Sequence, residues 1–123
     1  MKSALILAIQ FLTTCLPAQA YESENGAAMI CDTQKQVERY VQVFHGNAQA
    51  AIRAVNTEEN DPNACALTNI SYVRGPEAGI ARSSSHAFQI VPIVVVGVNT
   101  SNGFAPVAPA LFFTPIQIKE LAV

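Results

Sequence analysis

Phe88-Gln89-Ile90-Val91-Pro92-Ile93-Val94-Val95-Val96-Gly97-Val98 is the most apolar stretch beyond the first twenty residues, and its reading decides the fold. In an extended chain Phe88, Ile90, Val94, Val96 and Val98 fall on one side and Val91, Ile93 and Val95 on the other. Apolar, largely β-branched residues on both sides predict a central strand covered on both faces. Pro92 lacks an amide and predicts a bulge or break there. Beyond it, Asn99 to Gly103 is turn chemistry, and Asn102-Gly103 is a strong hairpin signal. The returning strand starts near Phe104, is interrupted at Pro106 and Pro109, and resumes over 111–119, where Ile116-Gln117-Ile118-Lys119 alternates. Upstream, Ile70 and Tyr72 alternate with Asn69, Ser71 and Val73, so a half-buried strand begins near Ala66.

The part before Ala66 reads differently. Thr33-Gln34-Lys35-Gln36 has capping-box spacing, with a hydroxyl for the free amides of a helix start and a glutamine reaching back. Val37, Tyr40, Val41 and Phe44 follow at i, i+3, i+4 and i+7, one helical stripe with Arg39 on its solvent side. Gly46 is a natural stop. Asn47 caps a second helix over 48–55, with Ala51, Ile52 and Val55 inward, and the polar run Asn56 to Asn63 with Asp61-Pro62 ends it. Tyr21 to Ala28 is small, polar and acidic, so 21–30 reads as a flexible leader with no share in the core, and 31–123 as one compact domain. The predicted class is α+β, with one or two short N-terminal helices against a small twisted antiparallel sheet. Three to five strands of this length suit a half-barrel of SH3-like size.

The first twenty residues have the order of a secretory signal: Lys2, an apolar run from Ala4 to Leu12, then the small-x-small site Ala18-Gln19-Ala20. The run is shorter than the ~20 residues that span a bilayer. Thr14 stands where a lipidated Cys15 would want a smaller residue before it. The chain of 123 residues has 7 Lys and Arg against 9 Asp and Glu. Removing Lys2 with the signal leaves net −3, a balance that attracts neither nucleic acid nor anionic lipid. Cys15 leaves too, so Cys31 and Cys65 remain as an even pair in an oxidising compartment, and a disulfide is predicted. Metal ligation with His45 and His86 is the rival, but no CxxC or CxH spacing supports it.

No GxSxG elbow, P-loop, GxGxxG or HExxH occurs, and no SxxK follows the signal. The densest collection of chemistry-bearing side chains is the loop 74–86. It holds Arg74-Gly75-Pro76-Glu77 and Arg82-Ser83-Ser84-Ser85-His86, with Arg74, Arg82 and His86 as candidate binding residues. Two guanidinium groups there would suit an anion. His45, at a helix end, reads as a cap rather than a ligand.

The stretches Cys31-Asp32-Thr33-Gln34, Gln36-Val37-Glu38-Arg39, Ala51 to Asn56, Tyr72-Val73-Arg74-Gly75 and Val94-Val95-Val96-Gly97-Val98, with Cys65, carry a resemblance. In them the chain resembles uncharacterised small exported proteins of Gram-negative bacteria. That resemblance implies export and a disulfide, and transfers no activity, cofactor or catalytic residue. The sequence therefore favours an exported, periplasmic or secreted, non-enzymatic binding module without metal or cofactor. Its partner would be a protein or a cell-wall polymer. A small hydrolase or inhibitor using the loop 74–86 is the alternative.

Overall fold

The computed structural model describes residues 22–118, so the signal segment 1–20 and the end of the chain from Lys119 lie outside the described residues. The elements run β1 (Ser23–Cys31), α1 (Gln34–Val43), α2 (Ala48–Glu59), β2 (Cys65–Arg74), β3 (Gly79–Arg82), β4 (Ala87–Thr100) and β5 (Gly103–Gln117). The class is α+β: two helices and a five-stranded antiparallel sheet, joined at Cys31–Cys65 by a disulfide.

The first element corrects the sequence reading. The stretch expected as a flexible leader is the strand β1, paired with β2 at every position from Ser23↔Val73 to Cys31↔Cys65. The helices are therefore not N-terminal; they are inserted between two neighbouring strands. Small polar residues have weak strand propensity, and here the nine-residue ladder to β2 supplies what propensity does not. Cys31 and Cys65 face each other at the foot of the insertion, so their bond closes the whole α1–α2 excursion, a sequence separation of 34.

The helices follow their caps. Thr33 accepts the Gln36 amide while the Gln36 side chain accepts the Thr33 amide, a complete capping box. The Asn47 side chain accepts the Ala50 amide at the start of α2. That helix runs on to Glu59, past the expected break at Asn56, and stops at Asn60 in the left-handed conformation, φ 54°. Asn56 stays helical because its side chain is used outward: Oδ1 accepts the Cys65 amide at 2.8 Å, and Nδ2 donates to the Pro62 and Cys65 carbonyls. Its amide group thus pins the end of the helical insertion to the first residue of β2.

Pairings run in a circuit, β1 to β2, β2 to β4, β4 to β5, and β5 back to β1 through Cys31↔Phe113. The enclosed side is filled by Ile30, Ile70, Val91, Ile93 and Val95, with Phe112 and Ile116 packed against them. The opposite side carries the second core, where Met29, Cys31, Phe88 and Ile90 meet Val37, Tyr40, Val41, Ile52 and Val55 from the helices. This division explains why Phe88 to Val98 is apolar on both sides.

Two prolines shape the circuit. Pro92 does not break β4; its carbonyl accepts the Gly75 amide at 2.8 Å where β2 gives way to β3. The irregularity lies further on, at the register shift between Val95 and Gly97. In β5, Pro115 stands opposite Met29 in the register set by Cys31↔Phe113, and it has no amide to offer. The Thr114 hydroxyl instead donates to the Met29 carbonyl, 2.7 Å away and buried. The closure between β1 and β5 is therefore one residue pair wide.

Candidate functional site

The expected binding loop 74–86 is divided by the fold. Arg74 ends β2 opposite Ile93, whereas Arg82 ends β3 opposite Ala87. Six residues of β4 separate those positions, roughly 20 Å along a strand, so the two arginines do not converge on one anion. Arg74 is engaged by Glu24 of β1, Nε to Oε2 and Nη2 to Oε1, both 2.8 Å. The Tyr72 hydroxyl donates to the same carboxylate at 3.3 Å. The hydrogen bond from Arg74 lowers the Glu24 carboxyl below its ordinary value, against a smaller opposing effect of burial.

Arg82 and His86 do come together. The four residues Ser83 to His86 join β3 to β4 in a tied turn: the Ser83 amide donates to the His86 carbonyl at 2.8 Å, and the His86 amide donates to Ser83 Oγ. A cavity of about 340 Å³ lies against this turn, lined by residues 82–87 with Gln117 and Ile118. His86 Nδ1 is 2.8 Å from Ser85 Oγ. Its ring packs edge-on to Phe44, centroids 5.1 Å apart, and beside Phe88 at 6.2 Å. The imidazole thus joins an aromatic cluster that anchors the end of α1, a packing role as much as a polar one.

A second feature was not visible as a site in the sequence. The helices cover only part of the sheet's outer side: Phe88, Ile90 and Phe113 are packed beneath them. Further along the same strands, Val94 and Leu111 pair across β4–β5 with 37% and 58% of their surface exposed, and Phe104 is 57% exposed. The Phe104 ring lies over Gly97, where a Cβ would stand 2.1 Å from a ring carbon. Residues 83–118 contain no Asp, Glu, Lys or Arg, so this face has no charge of its own on either strand. Hydrophobic alternation predicted the strands; which half of the outer side the helices leave bare depends on how the helices sit.

Among the described residues no group of three His, Cys, Asp or Glu side chains could hold a metal ion, and no helix is long and apolar enough to cross a membrane. No protein-family model matches the chain, and neither does any curated protein or solved structure.

Proposed function

We propose that this protein is a small exported binding module, periplasmic or secreted, that recognises a protein or cell-wall polymer through the outer face of β4–β5. The observation that carries this reading is the uncharged apolar face of Val94, Phe104 and Leu111, left bare beside a helix-covered half of the same sheet. Exposed large apolar groups gathered on one surface mark interaction sites more often than isolated ones do. The buried disulfide supports an oxidising compartment, and the curled sheet supports the half-barrel of SH3-like size. Export and the kinship with small exported proteins of Gram-negative bacteria are part of the same reading. Titrating isotope-labelled protein with peptidoglycan fragments and with periplasmic extract tests it. Amide shifts centred on 94, 104 and 111, abolished by Leu111→Asp, are expected; a spectrum that does not move with either mixture overturns the reading.

A second reading, a small hydrolase or inhibitor at the loop 74–86, draws on the cavity beside Arg82 and His86. Its arginine would be Arg82, which borders the cavity, since Arg74 sits six β4 residues away. Hydrolysis of ester and phosphate probes that is unchanged in Arg82→Ala and His86→Ala proteins removes it.

A further inference from the structure

The register of β1 fixes where its backbone groups point. One step beyond Cys31↔Cys65, the Asp32 amide donates to the Ala64 carbonyl at 3.0 Å. In an antiparallel ladder hydrogen-bonded positions alternate, so even-numbered residues of β1 bond to β2 and odd-numbered ones point away. Met29 agrees, since its carbonyl is taken by Thr114 on the other side. The amides and carbonyls of Ser23, Asn25 and Ala27 therefore face outward, and among the described residues no strand is paired with them.

Exposed strand edges are normally blunted with proline or outward charge. On β5 the edge turned from β4 carries Pro106 and Pro109 within an exposed run, 106–111. β1 has no proline, lysine or arginine, and its one charge, Glu24, is held by Arg74. Among the described residues the β5 edge is thus closed to a further strand and the β1 edge is open to one.

We propose that the open edge of β1 pairs with β1 of a second copy of this chain, antiparallel about a two-fold axis at Asn25, to make one continuous sheet. In that register Ser23 lies opposite the partner's Ala27, so the facing side chains are small. Glu24 lies opposite the partner's Gly26, not opposite a second carboxylate. Nothing lies within 4 Å of where a Cβ on Gly26 would be, so the facing Glu24 side chain has room. Gly26 also has φ 149°, a conformation open to glycine, which keeps this position side-chain-free. This inference rests on the edge of β1 and is independent of what the outer face of β4–β5 binds.

Sedimentation velocity of the oxidised protein across the micromolar range, with isotope-filtered NMR on a mixture of labelled and unlabelled copies, tests it. A dimer is expected, with an intermolecular contact between the α-protons of Glu24 and the partner's Gly26. Ala27→Pro removes an outward amide while leaving the β1–β2 ladder its bonds, and is expected to be folded by circular dichroism and monomeric. A monomer at every concentration overturns the proposal. A dimer that lacks the Glu24 to Gly26 contact, or that survives Ala27→Pro and is lost in Leu111→Asp, also overturns it and moves self-association to the apolar face. The NMR contact decides the matter even where the proline variant fails to fold.

Discussion

Glu24 grips Arg74 at two points, Nε to Oε2 and Nη2 to Oε1, each 2.8 Å, across 50 residues of sequence. The pair ties the first strand to the end of the second and removes Arg74 from the loop chemistry it seemed to offer. Its energetic weight is modest, because both side chains are about 40% exposed. A bidentate exposed pair contributes about 0.5–1 kcal/mol. The folded carboxyl titrates below its ordinary value, chiefly because Arg74 hydrogen-bonds to it. The stabilisation is therefore complete above the ordinary glutamate pKa and is lost as pH falls through the lower, folded one. Glu24→Gln is expected to lower the melting temperature by about 2–4 °C at neutral pH. The gap between the two proteins should close in acid; a gap that stays constant from neutral pH into acid excludes the ion pair as its source.

The disulfide makes a larger prediction. Loop-closure entropy for a separation of 34 residues corresponds to roughly 3–4 kcal/mol, and both cysteines are buried at 1% exposure, where alanine also leaves a void. The double variant Cys31→Ala, Cys65→Ala should lose at least that much unfolding free energy in urea titrations, and reduction of the native protein should do much the same. Equal stability with and without reductant would mean that the β1–β2 ladder and helix packing alone hold the insertion.

These two cases mark where sequence reading works. Thr33 with Gln36, the stripe Val37, Tyr40 and Val41, the Asn47 cap and the Asn102-Gly103 hairpin were legible because each is a local signal, complete within a few residues. β1 was not, because Ser23 to Ala28 owes its conformation to partners about 40 to 50 residues away: the Thr68 to Val73 part of β2, and Arg74. Of the candidate site, the sequence showed that Arg82 and His86 share a loop. The distance from Arg74 to Arg82 is set by their register on β4, and no local pattern encodes that.

Asn56 offers a third test. Its side chain satisfies the Cys65 amide and carbonyl and the Pro62 carbonyl, at 2.8, 3.0 and 2.9 Å. Asn56→Ala leaves a partly buried amide and carbonyl of Cys65 without those bonds and should cost about 2–3 kcal/mol. Asn56→Asp keeps the acceptor for the Cys65 amide but turns the two donated bonds into repulsion between oxygens, so it should be no better than alanine. Hydrogen exchange at the Cys65 amide reads the same bond directly: protection should fall in Asn56→Ala and survive better in Asn56→Asp. Unchanged protection in both would show that the clamp is not formed in solution.

The last prediction concerns Gly97 and Phe104. A Cβ on Gly97 would stand 2.1 and 2.4 Å from two ring carbons of Phe104, so alanine there forces the ring off its shelf. The ring is the end of an exposed side chain and has somewhere to go, so the cost is its packing on the strand, about 1 kcal/mol, rather than a broken sheet. In the Phe104→Ala background that clash is gone, and alanine is the better strand residue by roughly 0.5 kcal/mol, because glycine loses more backbone entropy on folding. Gly97→Ala should therefore destabilise the native protein and stabilise the Phe104→Ala protein, a change of sign within one double-mutant cycle. The same substitution should weaken any ligand bound on the outer face of β4–β5, because it displaces the exposed Phe104 ring from its place over Gly97. If Gly97→Ala has the same effect on stability in both backgrounds, the ring does not rest on Gly97.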